Sequence, residues 1–254
     1  MSTGPASALR VRRTSLSERI GSVIGRLLGN GTHWGYGARC AARNLLCGIV
    51  VAVGPLAAAA DALTIAALGD SLTQGYGLPP EAGFVPQLNS WLIAHGEDVH
   101  VLNAGVSGDT TAGGLSRIDW TLTPDVDALI VELGGNDVLR GIAPETSRAN
   151  LDAILSKADA AGIPVLLIGV PAPANYGPDY KAAFDAIYPD LAAIHGTLLV
   201  ENFFRGLAPA GGDTQEAHRT YLQADGLHPN AAGVERIVAD LGPEVLLLIR
   251  RASP

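Results

Sequence analysis

Residues 68–77, LGDSLTQGYG, put Ser71 directly after an apolar run and a Gly-Asp pair. A serine at such a point has two uses. Its hydroxyl can cap a helix by accepting an otherwise orphaned backbone N–H, or it can attack an acyl carbonyl when a base takes its proton. A candidate base lies far along the chain, in ADGLHPN, residues 224–230. There His228 precedes Pro229, which biases it toward extended backbone. Asp225, three residues earlier, can reach its Nδ1 across one turn. Two more polar blocks, NAGVSGDTT (103–111) and GGND (134–137), are rich in residues that tolerate left-handed backbone and read as loops. The G-x-S-x-G elbow of α/β-hydrolases is absent, because Gly69-Asp70-Ser71-Leu72-Thr73 lacks the second glycine.

These loops need a scaffold, and the apolar pattern supplies one. LTIAAL (63–68), VHVL (99–102), DALIVEL (127–133), PVLLIGV (164–170) and TLLV (197–200) read as strands, most of them nearly continuous in hydrophobicity. That is the signature of parallel strands covered on both faces. Phe84, Leu88, Trp91, Leu92 and His95 recur at helical spacing, as do Leu151, Ile154, Leu155 and Ala158. Tyr180, Phe184, Ile187, Leu191 and Ile194 form a longer stripe, which Pro189 should kink or restart. Asn230 can cap a last helix, which Gly242-Pro243 should close or interrupt. Alternating strands and helices predict one doubly wound α/β domain. In such a sheet ligands bind beyond the carboxyl ends of the strands. GDS, NAGVSGDTT and GGND follow the first three strands, so they converge on that edge.

The first sixty residues differ from the rest. Between Met1 and Asn44 there are seven Arg, no Lys and one acid, Glu18, and then an uncharged run, LLCGIVVAVGPLAAAA (45–60). A basic flank, an apolar segment and an A-x-A-like end predict a secretion signal over 1–60 and a mature domain over 61–254, periplasmic or secreted. Both cysteines, Cys40 and Cys47, fall in that leader, so disulfide and thiolate chemistry are excluded for the mature chain. Ten basic against twenty-four acidic residues remain after it, a net of −14. Such a surface disfavours nucleic acid and anionic membranes, and the expected state is a monomer with a small-molecule partner.

Taken together, GDSLTQGYG, NAGVSGDTT, GGND and DGLHP, in that order, resemble the SGNH hydrolases, the GDSL esterase family, over residues 63–250. VELGGNDVLRG and PANYG look closest to the exported arylesterase, acyl-thioesterase and lysophospholipase branch. The resemblance implies a flavodoxin-like three-layer α/β/α sandwich with a five-stranded parallel sheet. It implies Ser71 as nucleophile, His228 as base and Asp225 as the third triad member. Ser71, Gly108 and Asn136 would be the oxyanion donors, with no metal or cofactor. Asp70, Asp109 and Asp137 read instead as loop hydrogen-bonders, since turn Asp side chains bind nearby backbone.

The substrate side is expected to be apolar. Pro173 and Tyr176, in the segment leaving the fourth strand, are predicted to wall the acyl site, with Leu78 on the opposite lip. Aryl and acyl esters fit that reading, with thioesters and lysophospholipids as further substrates. A carbohydrate acetyl esterase on the same scaffold, or a secreted ligand-binding module without catalysis, are the alternatives.

Overall fold

The computed structural model describes residues 62–207 and 214–253; the leader with its two cysteines and the expected processing point at Asp61 lie outside them. All five expected strands form: β1 (Leu63–Gly69), β2 (Val99–Gly105), β3 (Ala128–Glu132), β4 (Val165–Ile168) and β5 (Leu198–Val200). They make one parallel sheet in the order β2-β1-β3-β4-β5. β2 outruns its apolar stretch because it stays paired with β1 as far as Gly69 opposite Gly105. Both strands therefore end level.

Nine α-helices surround the sheet among the described residues. They are α1 (Ser71–Gln74), α2 (Phe84–Ala94), α3 (Thr111–Thr121), α4 (Gly135–Leu139), α5 (Pro144–Ala160), α6 (Pro178–Asp185), α7 (Ile187–His195), α8 (Thr214–Tyr221) and α9 (Ala231–Ala252). Successive strand side chains point to opposite faces, and the core divides accordingly. Ile65, Ala67, Ile130 and Ile168 face α2 and α9, with Phe84, Leu88, Val234 and Leu241 packed on them. Ala66, Leu68, Leu129 and Leu167 face the layer of α3, α5, α6 and α7, through Ile118, Leu151, Phe184 and Leu191. The architecture is a three-layer α/β/α sandwich.

Two helix expectations resolve in physical terms. The stripe from Tyr180 to Ile194 breaks at Ala186, and Pro189 sits in the first turn of α7. There its missing N–H would have had no intrahelical partner. Gly242-Pro243 does not end or split the last helix: α9 runs through to Ala252, which corrects that expectation. Leu241, Val245, Leu248 and Ile249 are buried on both sides of the pair, so packing outweighs the one backbone hydrogen bond that Pro243 forfeits. A Cβ on Gly242 would lie 2.5 Å from the Trp91 ring, so the glycine makes room for α2.

On the opposite layer His195, at the end of α7, lies between two carboxylates of α5. Its Nε2 is 2.7 Å from Asp152 and its Nδ1 2.8 Å from Asp159. Ionised carboxylates only accept, so both ring nitrogens donate and the imidazole is a cation. Burial opposes that charge, but the bonds to Asp159 and Asp152 prevail and the pKa is raised. The stabilisation is therefore complete below the ordinary histidine range, near ~6.5, and is lost as pH rises through the raised value. Replacing His195 with Gln should cost about 1 kcal/mol at pH 5.5, the half-exposed carboxylates limiting the gain. The loss should shrink at pH 9, as urea unfolding at the two pH values would show.

Candidate active site

β1 delivers the serine. A Cβ on Gly69 would collide with the Thr73 side chain, so glycine there lets the chain turn sharply from strand into α1. The N-cap of α1 is Asp70, whose Oδ1 accepts from the Leu72 N–H at 2.9 Å. Ser71 is thus released from capping and begins the helix itself. Its Oγ lies 2.8 Å from His228 Nε2, and His228 Nδ1 lies 2.7 Å from Asp225 Oδ2.

The protonation of this chain follows from its acceptor end. The hydrogen bond from His228 holds the Asp225 carboxyl down at about 2, aided by the Leu227 N–H and against a small burial effect. Asp225 is ionised and only accepts, so His228 Nδ1 carries the hydrogen. In neutral imidazole Nε2 is then the acceptor for Ser71 Oγ–H, and the arrangement can draw a proton off the serine. The loop carrying His228 is pinned at both ends: Gln223 N–H donates to His228 O at 2.7 Å, and Asn230 N–H to Tyr221 O at 2.8 Å. Asn230 also caps α9 through Gly233 N–H at 3.0 Å, as its position suggested. Gln223 Nε2 ties the loop to Tyr76 O at 2.8 Å, and the Tyr76 ring lies against His228 with centroids 4.6 Å apart.

Gly108 and Asn136 reach the same cavity as Ser71 and His228. Gly108 has φ +81°, in the left-handed region where a side chain would be strained. Asn136, in α4, donates from Nδ2 to Asp70 Oδ2 at 3.1 Å, which leaves its second amide hydrogen for another acceptor. Asp70 therefore serves two loops, and it is buried. Burial drives its pKa up to about 6 against the pull of the Leu72 N–H and the Asn136 amide.

The other two aspartates also bind loops. Asp137, buried, accepts from Thr111 N–H, Thr111 Oγ1–H and Ser147 Oγ–H at 2.9, 2.6 and 2.9 Å. Asp109 pairs with Arg117 Nε at 2.7 Å. Arg117 donates further to Ala104 O at 2.6 Å and to Gly69 O at 2.9 Å, so it binds the ends of β1 and β2 to each other. Beneath α1, Glu132 is fully buried and accepts from Thr73 Oγ1 at 2.9 Å, while its Oε1 has no partner among the described residues. Burial and then the charge of Asp70 push its pKa well up.

The cavity, about 590 Å³, runs from Ser71 toward Val170, Pro171, Phe204, Leu207 and Leu222. Pro173 lines it; Tyr176 and Leu78 do not. Leu78 packs against the core under α2, and Tyr176 braces the end of α4, its hydroxyl 3.4 Å from Leu139 O. Phe204, Leu207 and Leu222 went unread because they belong to the stretch before the histidine loop, where no apolar period marks a wall. No group of three or more His, Cys, Asp or Glu able to hold a metal occurs among the described residues.

A parallel α/β/α sandwich with a Ser–His–Asp chain at its carboxyl edge defines a serine-based carboxylic ester hydrolase. The model of the GDSL-like Lipase/Acylhydrolase family matches residues 67–236, and the chain belongs to that family. It is 40% identical over 208 residues to Esterase TesA of Pseudomonas aeruginosa, covering 82% of this chain and all of the relative. Thioesterase 1/protease 1/lysophospholipase L1 of Escherichia coli K12 is 40% identical over 176 residues, 68% of this chain and 78% of the relative. Among solved structures, the psychrotrophic esterase EstA from Pseudoalteromonas sp., inhibited by monoethylphosphonate, superposes with a TM-score of 0.66 at 31% identity. That match covers 74% of this chain and 98% of EstA.

Replacing Asp70 with Ala removes a cap worth about 1 kcal/mol and frees the Asn136 amide. Stability should fall by that amount and kcat by roughly tenfold, one decade being about 1.4 kcal/mol. Thermal melts and steady-state kinetics on one preparation would check both.

Proposed function

We propose that the chain hydrolyses aryl and acyl esters through an acyl-enzyme on Ser71. The observation that carries this is the continuous contact from Ser71 Oγ through the His228 ring to Asp225, at 2.8 and 2.7 Å. As Ser71 Oγ bonds to the acyl carbon, His228 Nε2 takes its proton, and Asp225 stabilises the imidazolium without itself being protonated. The carbonyl oxygen becomes an oxyanion held by the backbone N–H groups of Ser71 and Gly108 and the free amide hydrogen of Asn136. Donors fixed in advance need no reorganisation at the moment the charge develops. The C–O bond to the leaving group then breaks, and His228 returns the proton to the departing oxygen. Water attacks the acyl-enzyme with His228 again as base, releasing the carboxylic acid and restoring Ser71. None of these steps requires a metal or cofactor.

The apolar end of the cavity supports recognition through the acyl chain, with thioesters and lysophospholipids as further substrates. Residues 1–60 serve as a secretion signal and 61–254 as the exported hydrolase domain, a reading that rests on the basic flank and apolar run. No described helix is long and apolar enough to cross a membrane. The mature protein acts as a monomer and does not bind nucleic acid, in keeping with its net charge of −14.

Ser71→Ala should abolish hydrolysis of p-nitrophenyl butyrate, a loss on the order of 10³–10⁶, with the fold unchanged by circular dichroism; wild-type turnover would refute the assignment. Asn136→Ala should lower kcat by roughly 10²–10³ with KM nearly constant.

Across p-nitrophenyl esters from C2 to C16, kcat/KM should rise by at most about 0.8 kcal/mol per added CH₂ until the cavity is filled. A preference for acetylated sugars over every acyl chain would move the reading to the carbohydrate acetyl esterase.

A further inference from the structure

The proposed mechanism leaves one charged residue beside the site unused. Arg140 follows α4 directly, and its backbone N–H donates to Asn136 O at 3.1 Å. Its guanidinium reaches across to a different loop, where Nη2 donates to Gly108 O at 2.7 Å. One residue is thus bonded to both Asn136 and Gly108. The neighbours of Gly108 have their own anchors: Asp109 N–H on Val106 O at 3.0 Å, and Thr111 N–H on Asp137 at 2.9 Å. Gly108 itself, lacking a side chain, has the widest backbone freedom in that loop. A charge-assisted bond to its carbonyl removes that freedom at the point where the N–H must stay aimed.

The far side of Arg140 is also held. Gly141 turns with φ +63°, and the Tyr176 ring lies against it, a Cβ there meeting the ring at 3.2 Å. Among the described residues no carboxylate lies within ion-pair distance of Arg140. Its positive charge is therefore not neutralised by a carboxylate partner, and the one hydrogen bond of the guanidinium among the described residues is to the Gly108 carbonyl. We infer that Arg140 is a positioning residue: by gripping the Gly108 carbonyl from the helix that carries Asn136, it sets the two oxyanion donors against each other. This rests on the hydrolytic reading above.

The test compares wild type, Arg140→Ala and Arg140→Lys, in the full chain, on p-nitrophenyl butyrate and on an aryl butyrate bearing a carboxylate in its leaving group. Wild type is also treated with a fluorophosphonate, with the labelled peptide identified by mass. Arg140→Ala should lower kcat about tenfold on both esters with KM within about twofold, less than loss of a donor itself. Arg140→Lys, which keeps a cation able to reach the carbonyl, should recover at least about a third of that loss. Melting temperatures should agree within about 2 °C, since the side chain is exposed. Unchanged kcat in Arg140→Ala overturns the inference. So does a loss confined to KM for the anionic ester, which would make Arg140 a contact for the leaving group. Absence of label on Ser71 in the wild type would instead overturn the hydrolytic reading, a distinct result.

Discussion

The buried carboxylate of Asp70 is the interaction on which the rest of the site depends. It must cap α1, or the serine would cap it and lose its freedom to face His228. The same group must accept from Asn136, or that amide would be free to rotate. Its two oxygens meet these demands at 2.9 and 3.1 Å. Holding a carboxylate in so dry a place is costly, and its pKa of about 6 reflects the burial. Glu132, buried next to it, has its pKa pushed well up by that burial and by the neighbouring Asp70 charge.

The sheet explains why so few residues can assemble the site. β1 is flanked by β2 and β3, and all three are parallel, so the loops carrying Ser71, Gly108 and Asn136 leave adjacent strands on the same edge. Polar side chains then bind loop to loop: Arg117 joins the first to the second, Asp137 the second to the third, and Asp70 the first to the third. A closed ring of ties holds relative position better than any one bond, because displacing one loop strains the other two. His228 and Asp225 stand outside this ring and are placed by their own hairpin-like loop, with Leu222 bridged to Pro229.

The strands and the Asp225–His228 pair were legible in the sequence for a shared reason: each is encoded locally, as a continuous apolar run or as residues three apart in a turn. Ser71, 157 residues from His228, was joined to that pair only through the resemblance carried by four ordered motifs. What was not legible depends on partners distant in sequence. Arg117 and Arg140 bind backbone carbonyls 48 and 32 residues away, and a carbonyl leaves no trace in residue type. Asp70 and Ser71 are both good capping residues, and their division of labour is fixed by where His228 lies. Tyr176 and Leu78 were expected to face the substrate because they are apolar and near the edge. Loop residues carry no period that tells inward from outward, and one braces a helix while the other joins the core. α9 defied its Gly-Pro pair because the buried face continues past it.

Ser71 and His228 are 157 residues apart in the chain, near opposite ends of the domain's sequence, although their side chains meet in the fold. Ser71 leaves the ribosome with the first strand, whereas His228 precedes α9, which covers one face of the sheet through Val234, Ile237, Leu241 and Leu248. Since chains are made from the amino terminus and domains fold as units, every shorter intermediate holds an ordinary, unactivated serine. Under the proposed mechanism, reactivity toward the cell's own esters is therefore withheld until the last helix docks, with no inhibitory segment needed to delay it.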